Sequence, residues 1–292
     1  MENLLTIFTP TYNRGYILKE LYQSLCNQTC KCFEWLIVDD GSTDGTGEIV
    51  KQWMDQNTTF KIIYIYQKNQ GKQIAFNTGV QACDKEYFFC VDSDDKLTLN
   101  AVEKIYEKIP EMKKKNIAGM IALRGANAKT AIGTRMPIKV RESSLMDLYE
   151  KYRFKGDTAL VYKTRILRAY PFKLQRQEKF IGENYVYDQI DEKYKLLLLD
   201  DIIYICEYLK DGYTLNTIKL LKKNPYSYMT MKLQSSRISK RMVYKVKHMG
   251  GYIAMGLCIG EKKLIKKSNN FILAILSYPI GVLIYFLRFR EK

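Results

Sequence analysis

Tyr87-Phe88-Phe89-Cys90-Val91-Asp92-Ser93-Asp94-Asp95 is the stretch on which the reading of this chain turns. An apolar run leads straight into three carboxylates, the pattern of a buried strand that delivers acids to the tip of a sheet. One unpaired buried carboxylate is costly, and three together need a cation. Oxygen-only ligands select a hard divalent ion, Mg2+ or Mn2+, with substrate phosphate oxygens completing its shell. The competing reading is a surface turn before a helix N-terminus, where acids are common.

Three segments upstream repeat the design. Leu4-Leu5-Thr6-Ile7-Phe8 is followed by Thr9-Pro10-Thr11-Tyr12-Asn13-Arg14, and Trp35-Leu36-Ile37-Val38 by Asp39-Asp40-Gly41-Ser42-Thr43-Asp44. Ile62 to Tyr66 leads to Asn69-Gln70-Gly71-Lys72 and then Ala75-Phe76-Asn77-Thr78-Gly79. Each reads as strand, polar turn, helix start, which predicts βα units and a largely parallel sheet. Ligands of such sheets lie at the carboxyl ends of the strands, where these polar clusters fall.

Taken in order, Thr9-Pro10-Thr11-Tyr12-Asn13, Val38-Asp39-Asp40-Gly41-Ser42, Gly71 with Asn77 and Gly79, and Asp92-Ser93-Asp94-Asp95 resemble glycosyltransferase family 2. The likeness is strong over residues 4–95 and weaker to about 210. It implies an inverting, nucleotide-sugar-dependent transferase of the GT-A fold, with a Rossmann-like, mostly parallel sheet flanked by helices. It implies Asp92 and Asp94 as ligands of Mn2+ or Mg2+ under a nucleoside diphosphate. Thr9, Pro10, Tyr12, Asp40, Lys72, Asn77, Asp92 and Ser93 are then expected at the nucleotide sugar. The Tyr12 ring would stack on the base, and Asp40 would accept the imide N–H of uracil. The plain alternatives are a half-buried turn aromatic and a helix-capping acid. Where many family members have an Arg before the Asn, this chain has Phe76. Lys72, at a helix start able to meet phosphate, either supplies that charge or is a solvated surface lysine.

The resemblance also implies a base that deprotonates the acceptor, borne on Phe180-Ile181-Gly182-Glu183-Asn184-Tyr185. The family's usual second acid is Asn184 here. The role falls to Glu183, or to Asp188 one turn on, unless the segment is only a helix cap.

The net charge of +16 is unevenly spread. From Leu209 to Lys292 there are 17 Lys and Arg against 3 acids; the preceding 208 residues hold 30 against 28. The expected organisation is a catalytic domain over 1–210, with a nucleotide-sugar half of about 1–96 and an acceptor half of about 97–210. A basic helical region over 211–292 follows. Within it, 271–287 carries no charge, and Lys262, Lys263, Lys266, Lys267, Arg288 and Arg290 flank it. As a helix it would span about 26 Å, just short of a bilayer core, and Pro279 and Gly281 could break it into a hairpin or an in-plane segment. An in-plane or re-entrant anchor on an anionic membrane surface is the reading; the alternative is a buried terminal helix. Nucleic acid is not expected as a partner, because no binding motif accompanies the basic tyrosine-bearing stretch.

The seven cysteines lack zinc-type spacing and read as reduced thiols. No signal peptide is expected, since the first apolar stretch runs into a Pro-containing turn. Ile117 to Leu123 and Thr158 to Tyr162 predict strands, and Ser143 to Arg153 a helix. Leu196 to Leu199 with Ile202 to Leu209 predicts a hairpin, ending in Lys210-Asp211-Gly212-Tyr213-Thr214, either a closing loop or a simple exit. His248, the only histidine, is expected at the surface.

These features favour a cytoplasmic, non-processive transfer of one sugar from a UDP-sugar to a lipid-linked or polysaccharide acceptor at the inner face of the membrane. Processive members of the family carry a Gln-x-x-Arg-Trp element, and the only tryptophans here are Trp35 and Trp53. The alternatives are a polyprenyl-phosphate sugar transferase, and a non-catalytic membrane scaffold suggested by Asn184.

Overall fold

Strands covered on both faces need no alternation, and the first two strands have none. In the computed structural model, which describes residues 2–206 and 217–290, every residue of β1 (Leu5–Thr11) and β2 (Phe33–Asp39) is buried. Helices α1 (Gly15–Cys26) and α2 (Thr46–Gln56) link β1, β2 and β3 (Lys61–Tyr66), and α3 (Lys72–Ala82) leads into β4 (Tyr87–Cys90). These four strands are parallel in the order β3-β2-β1-β4. The chain therefore reverses its direction of winding between β1 and β4, the switch point where such sheets bind ligands. Register sharpens this. Phe8 pairs with Cys90, so β4 ends where β1 still has three residues to go, and the acidic run follows beside the last of them.

The remaining strands are β5 (Lys96–Leu97), β6 (Ile117–Gly125), β7 (Glu142–Ser143), β8 (Thr158–Lys163) and β9 (Lys195–Ile205), with α4 (Ala101–Met112), α5 (Leu145–Glu150) and α6 (Thr164–Ala169) between them. They extend the sheet as β4-β8-β6-β9-β5, with β7 also on β9. Here the pairing is mixed: β8 is antiparallel to β4 and β6, while β9 is parallel to β6.

Two expected elements differ. The hairpin over Leu196–Leu209 is one continuous strand through residue 205, and the stretch from residue 207, with Lys210-Asp211-Gly212-Tyr213-Thr214, lies outside the described residues. Asp200 and Asp201, which read as a turn, stay in the strand because partners hold them. Arg135 Nε donates to Asp200 at 3.2 Å, the Met136 N–H donates to it at 2.8 Å, and Lys104 pairs with Asp201 at 2.5 Å. The helix over Ser143–Arg153 is shorter: Ser143 pairs in β7, and Ser144 Oγ caps α5 by accepting the Asp147 N–H at 3.0 Å.

The chain divides into two units. The sheet unit comprises residues up to 171 and from 193 to 206. The helical unit comprises 172–192 and the described residues from 217 onward. The helical unit contains α7 (Asn184–Asp191), α8 (Thr217–Lys223), α9 (Pro225–Ile238), α10 (Met242–Cys258), α11 (Leu264–Lys267) and α12 (Phe271–Ile284), then a π-helical turn, Tyr285–Phe289. Pro279 and Gly281 do not break α12. Pro279 removes one donor but is tolerated inside the helix, and Gly281 is where α10 presses in. A Cβ on Gly281 would stand 2.5 Å from Ile253 Cγ2.

Candidate active site

At the tip of β1 and β2, two loops are tied together by short polar side chains. The Asn13 N–H donates to Ser42 Oγ at 2.8 Å, and the Thr43 N–H donates to Asn13 Oδ1 at 2.8 Å. The Gly15 N–H donates to Asp44 Oδ2 at 3.1 Å. Asn13 adopts a left-handed φ of 52°, which Asn tolerates better than most residues. Pinning this loop leaves the Tyr12 ring half exposed, at 50 %, and free to stack. Thr9 and Pro10 are buried within β1; Thr9 Oγ1 accepts the indole N–H of Trp35 at 3.0 Å, a core contact.

Asp39 and Asp40 hold backbone. Asp39 accepts the Ser42 N–H and the Tyr64 hydroxyl, both at 2.7 Å. Buried Asp40 accepts from Gln67 Nε2 at 2.7 Å, from the Gln70 N–H at 2.9 Å and from the Gly71 N–H at 2.7 Å. It thereby fixes the loop that opens α3, where Gly71 has a φ of 98°. A carboxylate has about four acceptor directions, so one remains for a ligand. Gly79 is a packing residue: a Cβ there would enter the Phe8 ring at 2.3 Å, so its absence lets α3 lie against β1. Asn77 is half-buried on the same helix.

The acidic run is the electrostatic centre. Asp92 is penalised by burial, but Lys72, whose Nζ is 2.7 Å from Oδ1, and Arg124 outweigh this and hold its carboxyl below the usual range. Asp94 moves the other way, raised by burial and by the Asp92 charge, with Arg14 and Lys72 only partly compensating. Burial and Asp92 push Asp95 up to about 7. The segment therefore carries more negative charge than its neighbours balance. Ser93 is buried between the acids.

Two residues that sequence reasoning missed support this loop from behind. The Tyr204 hydroxyl accepts the Asp92 N–H at 2.9 Å and donates to Asp95 Oδ2 at 2.7 Å. The Arg124 guanidinium lies 4.1 Å from the Tyr204 ring centre and 4.0 Å from Asp95, and its Nε donates to the Thr158 carbonyl at 2.9 Å. One signal was present: Arg124 is the lone charge in the otherwise apolar strand Ile117–Gly125.

The donor set fits a hard divalent cation. Among the described residues no cage of three acidic, thiol or imidazole groups is assembled. Mg2+-type ions do not need one, taking one or two carboxylates and filling the rest of the shell with water and phosphate. The excess negative charge at Asp92 and Asp94 suits that role.

In the helical unit, Glu183 stands exposed at the N-terminus of α7, beside exposed Asn184. Asp188 is buried and accepts the Ser235 hydroxyl at 2.5 Å. Of the two candidate bases, Glu183 is the one open to solvent. His248 is half-buried rather than superficial. Burial, with Lys232 and Lys247 nearby, pushes its imidazole down to about 3.

Comparison with known proteins agrees with this geometry. The model of the family described as glycosyl transferase family 2 matches residues 6–182. The glycosyltransferase GlyA of Streptococcus pneumoniae is 38% identical over 111 residues, 38% of this chain and 16% of GlyA. The putative teichuronic acid biosynthesis glycosyltransferase TuaG of Bacillus subtilis is 32% identical over 108 residues, 37% of this chain and 42% of TuaG. These alignments span less than half of either relative. S. aureus TarS 1-349, solved with UDP-GlcNAc, superposes with a TM-score of 0.59 at 16% identity, over 100% of this chain and 93% of that one. The mannosyltransferase PcManGT from Pyrobaculum calidifontis, solved with GDP-Man and Mn2+, gives 0.57 at 15% identity, over 98% of this chain and 88% of its own. At such identities the superpositions establish the GT-A fold. Because the family model spans more than half of the sequence, the chain belongs to glycosyl transferase family 2.

Proposed function

We infer that the chain transfers single sugars, with inversion, from a UDP-sugar to a lipid-linked or polysaccharide acceptor in cell-envelope assembly. The carrying observation is the charge pattern at the β1/β4 switch point, where Asp92 and Asp94 face Lys72 and Arg14 at the ends of two parallel strands. That is a place built for a diphosphate and its cation. UDP as the nucleotude carrier is supported by the UDP-GlcNAc complex of TarS and by the free acceptor direction of Asp40. The teichuronic acid relative supports a polymeric or lipid-linked acceptor.

In this reading Tyr12 stacks on the base and Asp40 takes its imide N–H. A base lacking that donor is rejected because Asp40 is left under-bonded. Asp92 and Asp94 hold the divalent ion, which when bound neutralises charge on the departing diphosphate. Lys72 lies against the same carboxylate, ready to meet a phosphate oxygen as a second cation. Glu183 takes the acceptor proton. Membrane contact comes from α12. One face, with Leu273, Ala274, Ser277 and Gly281, is buried, while Ile272, Leu276 and Leu283 are exposed, as is Leu287 in the turn that follows. A helix already packed along one side suits an in-plane position at the inner leaflet.

UDP release from a panel of UDP-sugars, with Mn2+ or with EDTA, tests the reading when membrane lipid extract supplies the acceptor. Release from one donor that EDTA abolishes is expected. Asp94→Asn should lower it by about two to three orders of magnitude. Loss of release on every UDP-sugar, with a GDP-sugar turned over instead, would overturn the choice of nucleotide.

A second reading, direct transfer to a lipid phosphate, is favoured by the basic residues around the apolar helix. An ionised phosphate needs no base. Near-normal turnover by Glu183→Gln would select this route.

A further inference from the structure

The helical unit contains an unbalanced set of cations that the transfer chemistry does not use. Lys232 leaves α9 and lies across α10 at Gly251, where a Cβ would stand 3.4 Å from its Cδ and 3.1 Å from the Tyr228 hydroxyl. Its ammonium is 5.4 Å from the centre of the Tyr228 ring. One turn before Gly251 on α10 is Lys247, and beside it His248. The Tyr228 ring also meets Phe289, centroids 6.1 Å apart, and Arg288 precedes Phe289 in the π-helical turn. Three elements thus bring Lys247 and Arg288 within electrostatic reach of Lys232, with Arg288 also acting on Tyr228 and the Lys247 ammonium 6.0 Å from the centre of the Tyr244 ring.

Among the described residues these charges are only partly balanced. Burial pushes the Lys232 ammonium down to about 8, with Lys247 and Arg288 adding repulsion. Asp188 is the acid that acts on Lys232, and it already accepts the Ser235 hydroxyl. Among the described residues, none of the three cations forms an ion pair. Lys232 is half-buried, and Lys247 and Arg288 are exposed.

The rim is apolar. Met242 and Val243 are exposed on the first turn of α10, and Phe286 and Leu287 are exposed next to Arg288. A soluble anion would gain nothing from such a rim, whereas a phosphate carried on acyl or prenyl chains would use both parts. We propose that Lys232, Lys247 and Arg288 form a binding site for the headgroup phosphate of a membrane lipid. The proposal rests on the membrane-facing reading of α12 for its lipid source and is independent of the sugar-transfer reading.

His248, the single histidine, supplies a clean reporter, because an anion among the cations raises its affinity for protons and moves its ring resonances. The full chain is titrated with dihexanoyl phosphatidic acid below its micellar concentration, and separately with inorganic phosphate, while the His248 ring is followed by NMR. The lipid is expected to shift the ring at concentrations where inorganic phosphate does not. In parallel, flotation is measured with phosphatidylcholine vesicles with and without phosphatidic acid. Lys232→Met with Arg288→Gln should weaken binding to the acidic vesicles about tenfold, the loss expected for charge-assisted contacts. Lys262→Gln with Lys263→Gln, removing two charges elsewhere in the unit, should change it less than half as much. A ring that ignores the lipid phosphate overturns the proposal, and this arm needs no variant to fold. An equal response to inorganic phosphate overturns the lipid assignment. A ring shift without vesicle binding sustains the phosphate site and removes α12 as the docking face.

Discussion

Asp92 and Asp94 stand two residues apart and titrate in opposite directions, because Lys72 pairs directly with the first, whereas at the second burial and the Asp92 charge outweigh the attraction of Arg14 and Lys72. Replacing Asp94 with Asn should therefore lower turnover by about two to three orders of magnitude while leaving thermal stability unchanged or slightly raised, a split that melting curves beside UDP-release assays will read. Asp40 predicts the reverse balance. Its buried oxygens satisfy two backbone N–H groups and Gln67. Asp40→Ala leaves these donors unpaired and should cost about 2 kcal/mol in urea unfolding, besides weakening donor binding. The acids and the Asp40 loop were legible because each follows its own strand within a few residues. Arg124 and Tyr204 were not, since they reach the site from distant strands and only pairing order brings them there. Asp40 shows a third case: the residue was found, but the sequence did not reveal that its carboxylate also builds the next loop.

At the level of elements, the βα repeats were legible because buried strand, glycine-bearing turn and helix recur in series. The second half of the sheet was not. Asp200-Asp201 resembles a turn, and only Arg135, Met136 and Lys104, all remote in sequence, hold it extended in β9. Helix α12 was read by composition, and composition cannot say which face is occupied. The close approach of α10 at Gly281 settles it. Gly281→Val should force these helices apart and lower stability by about 1–3 kcal/mol, visible as a lower melting temperature. Leu276→Gln, on the exposed face, should leave melting unchanged and reduce vesicle binding. If both variants melted alike, the two faces would not differ as described.

Across the whole molecule, charge is the uneven quantity, with the excess of +16 concentrated in the last third of the sequence. Its clearest internal effect is on His248, held neutral down to about 3 by burial and by Lys232 and Lys247, with Asp188 and Arg288 also acting on Lys232. An unfolded histidine titrates near 6.5, so below that pH the unfolded chain gains a proton that the folded one refuses. Stability present above pH ~6.5 is thus lost as pH falls toward 3, by at most about 1.4 kcal/mol per pH unit from this group. Melting measured between pH about 7.5 and 5 should show that decline, and His248→Gln should flatten it. The Tyr204 bridge has a different, temporal consequence. Asp92 and Tyr204 lie 112 positions apart, so a ribosome has issued most of the catalytic unit before the acidic loop gains its rear support. The four parallel strands can assemble early, but the loop is locked last, by the most distant pairing. A rigid acidic loop is then a sign that the sheet unit has been made: a nascent chain stopped short of Tyr204 would carry every residue of that loop and still lack its rear support.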